Sequence, residues 1–318
     1  MTATKVIFDT DPGVDDAAAL LLLTKLPQIE LIGVTTIFGN GDIETVTRNA
    51  LWMKHVYGFD APVARGSSVS LVGESAPPPT HVHGHNALGD VPLPDTALPE
   101  LDPRPAHLLI SELVRAHPGE VTIIAVGRMT NLALALAHDP GLVALVKQVV
   151  IMGGAFGGNN GNVSPAAEAN IIGDPVAADI VFGADWPVVA VGLDVTRQVV
   201  LSKDRLDDWA RSSDDPGLAL VAAAKQLYMG YHGAFGVEGC YVHDSSAVAY
   251  VADPSLFGTR RGPVRVVRDG PARGQTIQAD PNTPYPPSAW DARPHQDVAV
   301  EVAPDALLAL MERAFTGG

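Results

Sequence analysis

The chain has 318 residues, 47% hydrophobic and 18% charged, with 21 basic against 36 acidic side chains and a formal charge of −15. That composition excludes a disordered chain and disfavours nucleic acid or an acidic membrane surface as partner, leaving cations and small neutral ligands. The single cysteine, Cys240, excludes an intrachain disulfide, as expected in a reducing compartment.

The opening stretch "MTATKVIFDTD" carries no apolar core or cleavage site of a secretory signal, so a cytoplasmic location is expected. Residues 5–9 read as a buried strand and 15–25 as a helix. The apolar run from Ala17 to Leu23 is far too short to cross a bilayer. "IELIGVTTIFG" (29–39) reads as a second strand and 42–57 as a second helix. Residues 76–105 form a long proline-rich loop containing "HVHGHNALG", the kind of segment that makes lids and binding loops. "VTIIAVG" (121–127) is strand-like and precedes helical "NLALALAHD". "VKQVVIMGG" (146–154) is the next strand and runs into a glycine- and asparagine-rich stretch, 153–165. Asp174-Pro175 is an N-cap with proline at the first helical position, leading "PVAADIVFG". "WPVVAVGLDVT" (186–196) reads as strand throughout. The proline-rich residues 281–296 read as a surface connection.

No linker separates two cores and no repeat is present, so residues 1–318 are expected to form a single large domain. Continuous apolar strands alternating with helices predict an α/β fold: an open, mainly parallel, Rossmann-like sheet with helices on both faces. Such sheets bind ligands at the carboxyl ends of their strands. The polar clusters fall there: Asp9 to Asp16, Asn40, Thr130-Asn131, and Gly153 to Asn170.

Four aspartates, Asp9, Asp11, Asp15 and Asp16, lie within eight residues. Helix capping accounts for Asp15 and Asp16. It does not account for Asp11 at a strand end, followed by a Pro12-Gly13 turn. A divalent cation held by carboxylate oxygens accounts for the cluster, and calcium takes about 6–8 such ligands. No Cys/His ligand pattern accompanies it, which disfavours zinc, and the spacing is not an EF-hand loop.

The stretch "DTDPGVDDAAAL" resembles the N-terminal fingerprint of the nucleoside hydrolases, the inosine–uridine-preferring N-ribohydrolase family. Further motifs follow in matching order: "TTIFGN" (35–40), "GRMTN" (127–131), "MGG" (152–154) with "GNVSPAAEAN" (161–170), and "VHDSSAVAY" (242–250). The resemblance covers nearly the whole chain. It implies that Asp11, Asp16 and Asp244 ligate Ca2+ through side chains and Thr130 through its carbonyl. Asp15 would bridge metal and ribose hydroxyls. Asn40, Asn162, Glu168 and Asn170 would hold the sugar, and Met152 would line the floor. Asp9 would support the site from behind. The family also implies a homodimer or homotetramer.

The chemistry agrees with that assignment. Hydrolysing an N-glycosidic bond requires an activated water, tolerance of positive charge on the sugar, and stabilisation of the departing base. Asp11 is the candidate base for the water. Carboxylates around the sugar favour its oxocarbenium character. A histidine suits the leaving base: His243, beside Asp244, is the first candidate and His83 the second. His81, His85 and His232 read as solvated. Tyr231, in what reads as a loop, "GYHGAFG", is a candidate for lining the base pocket. The expected products are ribose and a free base, from uridine or cytidine or with an inosine–uridine preference. The alternatives are a non-catalytic, calcium-dependent nucleoside- or ribose-binding protein, a hydrolase of another N-riboside, and a phosphotransferase, which the acid-rich pocket argues against.

The sequence departs from the family pattern in three places. Ala169 stands where an aromatic is common, which opens the side near the sugar. "GHNALG" (84–89) lacks the usual acidic residue. Arg128-Met129 stands where a glycine or proline with leucine is usual; since only the Thr130 carbonyl is needed, this counts as a minor departure.

Overall fold

Val6 and Phe8 face one side of the first strand and Ile7 the other, and all three are fully buried. A strand apolar on both faces needs cover on both, and this sets the architecture. The computed structural model describes residues 3–93, 96–157, 161–280, 282–283 and 286–317. Residues 158–160 of the glycine- and asparagine-rich stretch, and 281, 284 and 285 of the later proline-rich one, lie outside the described residues.

In chain order, β1 (Thr4–Thr10), α1 (Val14–Lys25), β2 (Ile29–Thr36), α2 (Ile43–Tyr57) and β3 (Val63–Arg65) come first. The long loop carries a short helix, α3 (Thr80–His83), and ends at α4 (Ala106–Ala116). Next come β4 (Val121–Ala125), α5 (Thr130–His138), β5 (Gln148–Met152), α6 (Ala169–Gly173), α7 (Pro175–Gly183), β6 (Val188–Val191) and α8 (Leu193–Thr196). The last part holds β7 (Val200–Leu201), α9 (Lys203–Arg211), α10 (Pro216–Gly233), β8 (Cys240–Tyr241), α11 (Asp244–Ala252), β9 (Phe257–Val266), β10 (Thr276–Gln278), β11 (His295–Val302) and α12 (Pro304–Thr316).

Nine strands form one sheet in the order β10-β9-β11-β6-β5-β4-β1-β2-β3. It is parallel from β11 to β3 and antiparallel where β9 and β10 extend it. Alternation along the strands sorts the core into two layers. Val6, Phe8, Ile124, Val150 and Val189 pack against α1, α10, α11 and α12. Ile7, Ile123, Val149 and Val188 pack against α4, α5 and α7. Each fully buried large side chain contributes about 1.5–3 kcal/mol, so Phe8→Ala alone would cost about 3–5 kcal/mol. Among the described residues no helix is long and apolar enough to cross a membrane.

The parallel α/β architecture is as expected, but strand ends differ. The third and fourth expected strands stop at Ala125 and Met152. The stretch 186–196 is strand only to Val191; after Gly192 the chain turns into α8. Gly192 approaches the Gly154 carbonyl so closely that a Cβ would lie 2.8 Å from its oxygen. Apolar composition alone does not reveal that turn.

Candidate active site

The site lies where β1, β2, β4 and β5 end. β1 pairs with β2 and β4 on either side, so the segments following these strands converge. Asp9, the second-to-last residue of β1, is buried behind them, accepting from Thr35 Oγ1 at 2.5 Å and Asn131 Nδ2 at 2.8 Å. Burial pushes its carboxyl up to about 7.

Asp16 ties the turn before α1 together. It accepts from Thr10 Oγ1 at 2.5 Å, from the N–H groups of Asp11 at 3.2 Å and Gly13 at 2.9 Å, and from Asn40 Nδ2 at 2.9 Å. The capping role is therefore real. Yet Asp15, Asp16 and Asp244 also converge, with one carboxylate oxygen from each within 4.8 Å of the others. Asp244 reaches the cluster as the first residue of α11, which packs on α1. Capping does not require three buried acids in contact.

Asp11, just past β1, accepts at Oδ2 from the Asn40 N–H at 2.9 Å and from Arg128 Nη1 at 3.1 Å. Among the described residues its Oδ1 is buried with no hydrogen-bond partner, and so is Asp15 Oδ1. Burial, followed by repulsion from Asp16, pushes the Asp11 carboxyl well up. Burial and Asp15 raise Asp16 to about 6, and burial with Asp15, Asp16 and Asp11 raises Asp244 strongly. Asp15 goes the other way: burial opposes its charge, but His83, His243 and Lys225 outweigh it. Orphaned buried carboxylate oxygens and mutual repulsion both fit a hard cation with oxygen ligands. The trio contains no Cys or His, which does not suit zinc.

Thr130, buried, opens α5 and donates its hydroxyl to Asp174 at 2.8 Å. The expected sugar-holding residues are largely committed to holding loops. Glu168 caps α6, accepting from the N–H groups of Gly154, Asn170 and Ile171 at 2.9–3.1 Å. Asn170 Nδ2 bridges the carbonyls of Val126 at 2.7 Å and Met152 at 3.1 Å. Met152 closes β5, on the α1 and α11 side of the sheet. Asn162 is exposed and accepts the Ala169 N–H at 3.0 Å.

His83 and His243 are both buried. His83 Nδ1 accepts the Val14 N–H at 3.2 Å and lies 4.0 Å from Asp15 Oδ1. In the neutral ring its proton is therefore on Nε2. His243 Nδ1 pairs with Thr196 Oγ1 at 2.8 Å. Burial lowers His83 to about 4 and His243 to about 3, despite Asp15. A histidine carrying a spare proton near neutral pH is not what this burial favours; each ring offers one neutral N–H.

Two expectations along α10 are corrected. Tyr231 is helical, because α10 runs on to Gly233, and it packs against His81 and Phe235. The tyrosine that meets the acids is Tyr228, whose hydroxyl donates to Asp15 Oδ2 at 3.3 Å. His232 is not solvated: it is buried, bonded to the Tyr228 carbonyl at 2.8 Å and 6.4 Å from His243 between ring centres. Lys225 shares this face, buried, with Nζ 5.2 Å from the Tyr228 ring centre. Lys225, Tyr228 and His232 have the spacing of one helix face; that signal is usable only once the segment is read as helix. The loop carrying His83 docks on this helix, for a Cβ at Gly89 would lie 2.3 Å from the Ala224 carbonyl oxygen.

An α/β sheet with buried carboxylates, imidazoles and a cation-fitting trio at its carboxyl edge defines a metal-dependent hydrolase site. Comparison with known proteins gives the family. The family model described as inosine-uridine preferring nucleoside hydrolase matches residues 6–309. Uridine nucleosidase 1 of Arabidopsis thaliana is 43% identical over 275 residues, 86% of this chain and 81% of that protein. The structure of a plant nucleoside hydrolase, the PpNRh1 enzyme, superposes with a TM-score of 0.93 at 38% identity, covering 99% of both chains. A purine-preferring ribonucleoside hydrolase from Gardnerella vaginalis gives 0.90 at 32% identity over 98% of both. The chain belongs to the inosine-uridine preferring nucleoside hydrolase family, the metal-dependent enzymes that split ribonucleosides at the N-glycosidic bond.

Proposed function

We propose that this chain is a calcium-dependent hydrolase releasing ribose and free base from ribonucleosides, with a pyrimidine or inosine–uridine preference. The observation that carries the reading is the Asp15, Asp16, Asp244 trio beside the unpartnered Asp11 Oδ1. Asp11, Asp16 and Asp244 are the proposed side-chain ligands and Thr130 the carbonyl ligand. A calcium ion there supplies positive charge that acidifies water and attracts the ribose hydroxyls.

The chain's own groups do the rest. Asp11 Oδ1 takes the proton of the attacking water. Asp15 holds the 2′- and 3′-hydroxyls, braced by Tyr228. Asn40, Asn162, Glu168, Asn170 and Met152 form the sugar side. As the C1′–N bond breaks, its electron pair leaves with the base, and neutral N–H groups of His83 and His243 stabilise the developing negative charge. Tyr231, on α10 three residues beyond Tyr228 and packed on His81, is the proposed lining of the base side. The rows of apolar residues on both sheet faces support one domain over residues 1–318. The family resemblance supports a homodimer or homotetramer, and the lone buried Cys240 suits a cytoplasmic location.

The test is ribose release from uridine, cytidine, inosine, adenosine and guanosine, with calcium, after chelation, and in Asp11→Asn. Calcium-dependent release lost in the variant is the expected result. No release from any nucleoside, with calcium still bound, would favour a binding protein or a hydrolase of another N-riboside, to which the small Ala169 side chain lends some weight.

A further inference from the structure

Arg128 has no role in the reading so far, yet it touches the proposed base. Its Nη1 lies 3.1 Å from Asp11 Oδ2 and 3.0 Å from the Phe38 carbonyl oxygen. Its guanidinium carbon lies over the Phe38 ring, 4.9 Å from the ring centre, a cation–π contact. Room for it is built in. A Cβ on Gly39 would fall 1.8 Å from Arg128 Nη1, and one on Gly173 would fall 2.3 Å from its Nε.

The arrangement is not the one stability alone would select. Among the described residues Arg128 Nε is buried without a hydrogen-bond partner, which costs free energy. The guanidinium also sits against a carboxylate that a cation would share, and two positive charges compete for it. A local conflict of this kind, kept inside an active site, points to function.

We propose that Arg128 is a positioning residue that weakens calcium binding in order to fix Asp11. Together with the Asn40 N–H it occupies Oδ2, so Asp11 presents only Oδ1 to the water and the cation. A carboxylate free to turn would offer either oxygen to the cation and lose its alignment with the water.

This inference rests on the calcium reading, and its test separates the two. Calcium affinity is measured by calorimetry on metal-free wild type, Arg128→Met and Arg128→Gln, alongside kcat and KM for the best nucleoside. Both variants should bind calcium about tenfold more tightly, since a positive charge near the ion is gone. Their kcat should fall about tenfold or more with KM nearly unchanged, as expected when alignment of the reacting groups is lost. Arg128→Gln keeps a hydrogen-bonding head without charge and carries the test if Arg128→Met fails to fold. Arg128→Lys keeps the charge without the planar fork; its calcium affinity should stay near wild type while kcat still falls. A purely structural salt bridge predicts the opposite sign: looser calcium with lower stability. Unchanged or weaker calcium binding in the neutral variants overturns the proposal. A wild type that binds no calcium removes the calcium reading itself, and this inference with it.

Discussion

Replacing Asp244 with asparagine should stabilise the calcium-free protein and remove most of the stabilisation that calcium brings. The carboxylate oxygens of Asp15, Asp16 and Asp244 lie within 4.8 Å of one another. Two unit charges at that distance repel by about 3.5 kcal/mol at an effective dielectric of about 20. Asp244 faces two such partners. The protein can escape by protonating Asp244, whose carboxyl burial and these neighbours raise strongly. That escape costs about 1.4 kcal/mol per pH unit above the ordinary carboxyl value, which limits the penalty to roughly 5 kcal/mol at about pH 7.5. A neutral asparagine escapes that penalty but still loses about 2 kcal/mol in burying its amide, so it should stabilise the calcium-free protein by about 3 kcal/mol, or about 4–5 °C in Tm for a chain of this size. In wild type, calcium at about a hundred times its Kd should add about 2.7 kcal/mol. In Asp244→Asn most of that increment should vanish, so the variant's advantage of about 3 kcal/mol without calcium should shrink to near zero with it. Differential scanning calorimetry at about pH 7.5, with calcium and with a chelator, reads all four states. A calcium-free variant less stable than calcium-free wild type would refute the repulsion argument, and so would equal calcium increments in both.

Tyr228→Phe removes one 3.3 Å hydrogen bond to Asp15. It should weaken substrate binding by about 1 kcal/mol, roughly fivefold in KM, with fold and calcium affinity intact; steady-state kinetics beside a calcium titration check this. Deoxyuridine should be turned over far more slowly than uridine if Asp15 grips the 2′-hydroxyl, and comparable kcat/KM values would remove that role. Asp179 lies outside the site, fully buried, accepting from Arg265, Arg268, Arg293 and the Val266 N–H, and so joins α7 to β9. Asp179→Ala should cost about 3 kcal/mol, the low end for a broken buried pair because Arg268 is half exposed. Burial pushes the Asp179 carboxyl up, but the Val266 N–H and the arginines outweigh it and hold it below its ordinary value. Its contribution is therefore complete above about pH 4 and lost as pH falls through the lowered value. Urea unfolding at about pH 7 and about pH 3 should show the wild-type advantage shrinking in acid.

Much of this protein was legible in its sequence, because the relevant physics is local or periodic. Continuous apolar runs separated by helical stretches determined a parallel sheet covered on both faces. The rule that such sheets bind at strand ends then located the aspartates, Asn40, Thr130-Asn131 and residues 153–170 on one edge. The spacing of Asp11, Asp15 and Asp16 around a Pro-Gly turn indicated a cation site without any coordinates. What sequence could not decide depends on groups that meet only across the fold. Arg128 lies 117 residues from Asp11, and no pattern in "GRMTN" says that its side chain folds back onto it through space left by Gly39 and Gly173. Tyr228 rather than Tyr231 meets Asp15 because α10 continues to Gly233 and fixes which face turns inward. His232 is buried for the same reason. The low basicity of His83 and His243 follows from burial, which a sequence does not state. Residue types and strand ends are written in the chain; which charges face each other, and how far from water, is set by packing alone.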